Sequence, residues 1–324
     1  MSRLSLTLAC GDHDITHGLI EGATPIEGVD LTTFTLPSPE RHWRMTRFLE
    51  FDICELSMST YLIGHSRGAP YLAVPVFPHR RFRHAYIFCN PASGVRTPGD
   101  LNGARVGLRS FQTTAGLWMR GILQHEYGVD LSSIDWVAQD EEDLPLASNF
   151  RFRLRTAPVG DTVDAMLVRG DLGAVIYPDP LPSFRDGHPN VRRLFEDYKA
   201  EEVRFHRKTG LFPIMHTVVI KRELADRHPW LPRSVLKAFE ASKRRAYREL
   251  RDPRYISMAW VMALAEEQAA VMGPDPWAYG VEPNRTALEA VARYAFEQGC
   301  IPVQPSVESL FFESVHAEVP AYLS

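Results

Sequence analysis

Short apolar runs separated by amphipathic stretches mark most of the chain. Residues 5–9 and 29–36 read as strands, divided by a polar segment containing His17-Gly18 and a Pro25-Ile26-Glu27-Gly28 turn. Residues 38–48 read as a helix, with a serine able to cap it and a proline in the first turn. A strand at 52–55 leads into Ser57-Met58-Ser59-Thr60, whose hydroxyls suit a helix start, and 71–77 is a further apolar run. After a pause at Asn90-Pro91-Ala92-Ser93-Gly94 the alternation resumes. A strand at 105–108, a helix at 114–127, a strand at 134–137, a helix at 162–169 and a strand at 174–177 follow in turn. Residues 212–221 form another apolar strand, and 232–250, 256–272 and 285–298 carry the 3.6-residue period of helices. Strands alternating with helices predict an α/β protein whose sheets are mainly parallel and covered on both faces.

The two blocks of alternation predict two lobes, with the chain leaving the first, building the second and returning. Residues 1–90 and 212–324 then form lobe 1 with the C-terminal helices, and 91–211 form lobe 2. The crossings fall near 86–91 and 209–216, and a ligand cleft is expected between the lobes. A length of 324 residues suits two such bodies better than one. Residues 140–143, all acidic, followed by Arg151, Arg153 and Arg155, read as a solvent-facing loop or hairpin.

Charge narrows the partners. The chain has 40 acidic and 36 basic residues, a net charge of -4, and no basic block, so nucleic acid is not an expected partner. The cysteines, Cys10, Cys54, Cys89 and Cys300, are scattered and read as reduced thiols rather than a disulfide framework. The opening MSRLSLTLACGDHDITHG is too polar and its apolar run too short for a secretory signal, and no apolar stretch is long enough to span a bilayer. The cytoplasm is the expected compartment, with no membrane partner.

The segment Phe51-Asp52-Ile53-Cys54-Glu55-Leu56-Ser57-Met58-Ser59-Thr60-Tyr61 resembles the first lobe of type 2 periplasmic binding proteins. Further segments are similar to the 4,5-dihydroxyphthalate decarboxylase family: Phe77-Pro78-His79-Arg80-Arg81-Phe82-Arg83-His84, Asp100-Leu101-Asn102-Gly103-Ala104-Arg105-Val106-Gly107, and Gln112-Thr113-Thr114-Ala115 with Trp118-Met119-Arg120-Gly121. Glu126-Tyr127-Gly128-Val129, Thr209-Gly210-Leu211-Phe212-Pro213-Ile214-Met215-His216-Thr217 and Tyr279-Gly280-Val281-Glu282-Pro283-Asn284 continue the likeness over nearly the whole chain. One departure lies in Gly11-Asp12-His13-Asp14-Ile15-Thr16, where His13 and Ile15 stand at positions for which the resemblance implies an aromatic residue and an arginine. The resemblance implies a type 2 periplasmic-binding-protein-like fold put to cofactor-independent decarboxylation of a hydroxylated aromatic dicarboxylate. Fold alone does not separate catalysis from binding, and a solute-binding protein of an ABC-type uptake system is the alternative.

Such a reaction needs an anion clamp and two proton handlers. Arg109 suits the clamp. It follows the strand 105–108 at the edge where open α/β sheets bind ligands, and Ser110, Gln112, Thr113 and Thr114 precede a helix whose free N–H groups favour anions. The other reading of this group is a surface arginine beside an ordinary helix cap. Arg81 and Arg83 are second candidates, or a solvated face. His216, in the apolar run 212–220, is the first candidate for proton transfer, against a histidine tied to a backbone carbonyl. His13 and Asp14 follow the first strand. Glu55 either faces the site with a raised pKa or bonds neighbouring N–H groups. Ser57 and Ser59 suit a ring carboxylate or a cap, and Asp179, between two prolines, a phenolic hydroxyl or a turn. Trp118 reads as core.

No nucleotide-binding glycine motif occurs, and no organic cofactor is expected. The spacings His13/His17 and His79/His84 occur in metal sites, yet no metal signature accompanies them, so no metal is assigned and a divalent ion is left open. The expected partners are a small anionic aromatic substrate and further copies of the chain in a homo-oligomer.

Overall fold

Two sheets organise the chain, which the computed structural model describes over residues 3–252 and 254–316. The strands are β1 (Leu4–Cys10), β2 (Val29–Thr35), β3 (Ile53–Ser57), β4 (Tyr71–Val74), β5 (Ile87–Cys89), β6 (Arg105–Leu108), β7 (Asp135–Ala138), β8 (Arg153–Thr156), β9 (Ala174–Ile176), β10 (Arg192–Arg193) and β11 (His216–Lys221). The helices are α1 (Asp14–Ile20), α2 (Ser38–Phe48), α3 (Met58–Ser66), α4 (Thr114–Tyr127), α5 (Val163–Arg169), α6 (Pro182–Arg185), α7 (Tyr198–Thr209), α8 (Arg222–Arg227), α9 (Leu231–Leu250), α10 (Val261–Met272) and α11 (Arg285–Glu297). The fold class is α/β.

Unit 1 comprises Met1–Arg80, Ile214–Glu289 and Pro305–Ser324. Its sheet runs β2-β1-β3-β11-β4. β2 and β3 lie parallel to β1, while β11 is antiparallel to both β3 and β4. The mainly parallel expectation is corrected at β11, which re-enters the sheet after Arg81–Pro213 of unit 2 instead of through a single helical crossover. Every residue of β3 and β4 is buried, the pattern of strands covered on both faces. Within β3 the charged residue is Glu55, and on β11 the register pairs His216 with Ser57 and Val218 with Glu55. On one face of the unit α1 lies against α9, close enough for the Gly18 amide to donate to Ser242 Oγ at 3.1 Å.

Unit 2 comprises Arg81–Pro213 and Ala290–Gln304. Its sheet runs β10-β5-β9-β6-β7-β8. β6, β7, β8 and β9 are mutually parallel, and β5 is antiparallel to β9. That pairing places 81–90 in unit 2, where the sequence had assigned them to the first lobe, and 290–304 join them. Phe88, Val163, Leu167, Leu172 and Val175 form one core. Trp118 is fully buried, as its helix position predicts. At Gly121 any side-chain carbon would fall 2.1 Å from the Tyr294 ring, so glycine is what lets that ring close on α4.

Several boundaries differ from the sequence expectation. β4 ends at Val74, because Pro75 has no N–H to continue the ladder. Residues 212–215 lie outside β11, and α10 begins at Val261 rather than 256. α7 was not foreseen, since its sequence YKAEEVRFHRKT is charged and buries only Phe205. Part of the expected 140–155 loop is the exposed edge strand β8. No described helix is long and apolar enough to cross a membrane.

Candidate active site

Glu55 projects from the middle of the unit 1 sheet and is fully buried. A buried carboxylate has to be saturated with donors, and this one is. Oε2 accepts from the Gly11 amide at 2.6 Å and pairs with Arg41 Nη2 at 3.0 Å. Oε1 accepts from His216 Nδ1 at 2.5 Å and from His13 Nε2 at 3.3 Å. Three elements therefore converge on one side chain: the end of β1, α2 through Arg41, and the start of β11. Gly11 is required by this crowding, since a Cβ there would lie 2.5 Å from His13 Nε2 and 3.3 Å from Glu55 Oε2.

Arg41 is 1% exposed and wholly consumed by the scaffold. Besides Glu55 Oε2 it donates to the Glu55 carbonyl at 3.0 Å, the Leu36 carbonyl at 2.6 Å and Ser38 Oγ at 3.4 Å. It acts as the fixed counter-charge of Glu55.

These contacts set three protonation states. Burial alone would raise the Glu55 carboxyl, but hydrogen bonds from His13 and His216 and the charges of His216 and Arg41 outweigh it and hold the group well below the carboxylate range. The raised pKa weighed from the sequence is corrected accordingly, because the sequence does not reveal Arg41 beside it. Burial likewise works against a charged His13, yet its bond to Glu55 prevails and its pKa is raised. At His216 burial prevails over Glu55, with Arg41 and His13 adding to it, and the pKa is lowered. One carboxylate thus binds two imidazoles whose pKa values are shifted in opposite directions, His13 upward and His216 downward. His216 Nδ1 carries the proton donated to Glu55, which leaves Nε2 as the lone-pair nitrogen.

Two more imidazoles complete the cluster. His79 packs edge-on to His216 with ring centroids 4.7 Å apart and lies 6.0 Å from His13. His42 stands edge-on to His216 at 5.1 Å, and burial with the neighbouring His216 and Arg41 charges holds it neutral. Ser57 and Ser59, at the start of α3, bond each other at 3.1 Å. Among the described residues no group of three or more His, Cys, Asp or Glu is arranged to hold a metal ion. His17 turns away from His13 to pair with Asp12 at 2.9 Å and Glu21 at 3.6 Å, and His84 belongs to unit 2.

The structure thus brings His13, Glu55 and His216 together in unit 1, with Ser57 and Ser59 on the same β3–α3 segment as Glu55. Asp14 is exposed in the first turn of α1, its Oδ1 accepting from the Ile15 amide. Arg109, Ser110, Gln112, Thr113 and Thr114 all lie in unit 2. There Arg109 pairs with Asp140 at 2.8 Å, Gln112 bonds the backbone of Leu144, and Thr113 caps α4 by accepting from Gly116 N at 3.3 Å. Arg81 and Asp179 lie 3.8 Å apart. Arg83 is buried against Tyr86 and donates to the Pro178 carbonyl at 2.8 Å. Arg41, His42 and His79 were missed as members of the site. The one signal was Arg41-His42 beside a strand edge, and in an otherwise charged helix it reads as surface.

Solved structures share this fold. The periplasmic aliphatic sulphonate binding protein SsuA of Escherichia coli matches at TM-score 0.57 and 13% identity, over 98% of this chain and all of that one. The alkanesulfonate-binding protein SsuA of Xanthomonas axonopodis pv. citri, bound to MOPS, matches at TM-score 0.56 and 15% identity, over 96% and 98%. These likenesses define the class as a type 2 periplasmic-binding-protein-like fold. No protein-family model matches the chain. Among curated proteins, a 4,5-dihydroxyphthalate decarboxylase of Comamonas testosteroni is 38% identical over 299 residues, 89% of this chain and 90% of that protein. Another of the same name, from Pseudomonas putida, is 37% identical over 205 residues, 61% of this chain and 79% of that one. The chain belongs to the 4,5-dihydroxyphthalate decarboxylase family.

Proposed function

We propose that the chain is a carboxy-lyase that releases CO2 from 4,5-dihydroxyphthalate or a close hydroxylated aromatic acid, with His216 as general base and His13 as general acid. The observation that carries this reading is the shared carboxylate, Glu55, which bonds both His216 Nδ1 and His13 Nε2 while the two imidazole pKa values are pushed in opposite directions. Groups whose surroundings push their pKa values apart are suited to opposite roles in one reaction.

The hydroxyl para to the departing carboxylate supplies the electrons. His216 Nε2 takes its proton, and the oxygen lone pair flows into the ring. The carbon bearing the carboxylate takes the proton from His13. The bond to the carboxylate then breaks, CO2 leaves, and its electron pair restores the aromatic ring as a phenolate. His216 returns its proton to that oxygen, and His13 is recharged from solvent. One proton is consumed and one CO2 formed per turnover. Ser57 and Ser59 are proposed to receive a ring carboxylate. Arg41, buried and bonded to Glu55, Leu36 and Ser38, acts through Glu55 as a positioning residue.

Incubation with 4,5-dihydroxyphthalate and related acids tests the reading: CO2 and the decarboxylated phenol should appear in equal amounts. Tight binding across the panel without CO2 would make the chain a solute receptor. The cytoplasm is the proposed compartment, supported by four buried free thiols that suit reducing conditions. Fractionation of the native host, with the protein followed by antibody, tests that placement.

A further inference from the structure

α10 is an apolar helix that the chain leaves almost uncovered. Its sequence VMALAEEQAAVM is rich in alanine, methionine, leucine and valine, yet Val261 is the one residue it buries. Its neighbour α9 shows the ordinary case, burying Leu231, Val235, Leu236, Phe239 and Ala246. A helix of 12 residues is marginal in water on its own, and no side chain caps the start of α10. The exposure extends into the segment before it. Trp260 is 75% exposed and Tyr255 65%, and Met258, Met262 and Leu264 are exposed with them. Together these side chains offer roughly 500 Å² of apolar surface, the size of patch that marks an interaction site.

Charge says what covers it. Arg248, at the end of α9, and Arg251 lie before the patch, and Glu266 lies after it on α10. All three are exposed, and none forms an ion pair among the described residues. The patch thus carries its own complement. In a twofold interface residue i meets residue j of the other copy, and j meets i. Two copies laid antiparallel bring Arg251 of each to Glu266 of the partner subunit, and the midpoint of that span falls at Met258 and Ala259. Met258 and Trp260 then stand at the centre and the charges at the edge, the apolar core and polar rim of a protein interface. A membrane surface does not fit as the cover: helices that lie on lipid carry a polar face rich in lysine and arginine, and α10 carries Glu266 and Glu267 instead.

We propose that α10 and residues 255–260 form a self-association surface, on which a second copy of the chain docks antiparallel about a twofold axis near Met258 and Trp260. The exposed apolar side chains supply more than half of the about 800 Å² that each partner gives to a standard interface, and the alanines and the charged rim supply the rest. The surface lies within unit 1 and does not rest on the decarboxylase reading.

Analytical ultracentrifugation of the full chain over a range of concentrations tests this. The unmodified protein should self-associate. Trp260→Glu should weaken the association by about 30-fold, the scale of a central aromatic anchor, and should leave the circular dichroism spectrum unchanged because the ring is already in water in the single chain. Leu264→Lys repeats the test should the first variant not fold. Arg251→Glu and Glu266→Arg should each weaken association by about tenfold, since each disrupts both copies of the pair, and the double variant should restore it. A chain that stays monomeric at every concentration, association untouched by both apolar substitutions, or a double variant no better than the single ones would overturn the proposal.

Discussion

Each unit holds a glutamate among several donors, Glu55 fully buried and Glu142 half-buried, and the two are received in opposite ways. Glu55 in unit 1 is held by two imidazoles, a backbone amide and a guanidinium. Glu142 in unit 2 is held by two backbone amides and feels a guanidinium close by. Amides and guanidinium do not change charge near neutrality, so Glu142 marks a place for holding an anion. Imidazoles do, so Glu55 marks a place for moving protons. The same side chain is held as a fixed anion or becomes part of a proton-handling site according to whether its partners titrate.

The comparison breaks most visibly at His216. His216→Asn keeps a donor toward Glu55 but removes the base, and turnover should fall by about 100-fold to 10,000-fold while substrate binding changes little. Comparable rates in the variant would remove His216 from the chemistry. Glu55→Gln should come next, lowering kcat by about 100-fold, because both histidines lose the anion that sets their charges. The same variant tests linkage. Glu55 is depressed in the fold, so its contribution to stability is present above its unfolded value and is lost as pH falls through the folded one. His13 is raised, so its contribution is full below its unfolded value and is lost as pH rises through the folded one. Both dependences should flatten in Glu55→Gln melts recorded across pH.

The pH profile of kcat/KM sharpens the contrast further. Activity should fall in acid as His216 is protonated, at a pH below the usual imidazole value of 6.5, and in base as His13 is deprotonated, above it. Unshifted histidines would confine joint readiness of base and acid to a narrow range about one shared pKa, whereas the opposed shifts widen that range on both sides of 6.5. Gly11→Ala should narrow that window and lower kcat/KM by about tenfold, since the added carbon collides with His13 Nε2. The smallest effect belongs to the scaffold of unit 2. Thr162 caps α5 by accepting from the Ala165 amide at 3.1 Å, and Thr162→Ala should cost about 1 kcal/mol in denaturant melts with kcat unchanged.

Much of the fold was legible in the sequence because local rules act there. The helices at 38–48 and 114–127 and the strand at 105–108 coincide with α2, α4 and β6, each carrying a clear period and a capping or breaking residue at its end. The sheet order was not, because β11 joins β3 from 161 residues away and its antiparallel sense is set by the returning chain. The site was legible residue by residue and hidden as a constellation. His13, Glu55 and His216 each stood out as a polar group at a strand edge, but only the adjacency of β1, β3 and β11 brings them together. Arg41 stayed hidden because a buried arginine and a surface arginine look alike in a charged helix. With Arg41 missing, the direction of the Glu55 shift was not readable either.

The central claim is that His13 and His216, bound to one carboxylate, have pKa values shifted in opposite directions. Titration of the imidazole ¹⁵N resonances in the full chain, assigned through His13→Gln and His216→Asn, measures this directly. The account predicts that His13 titrates above 6.5 and His216 below it, and that the gap closes in Glu55→Gln. Coincident titrations in the unmodified protein, or His216 charging before His13 as pH falls, would contradict it.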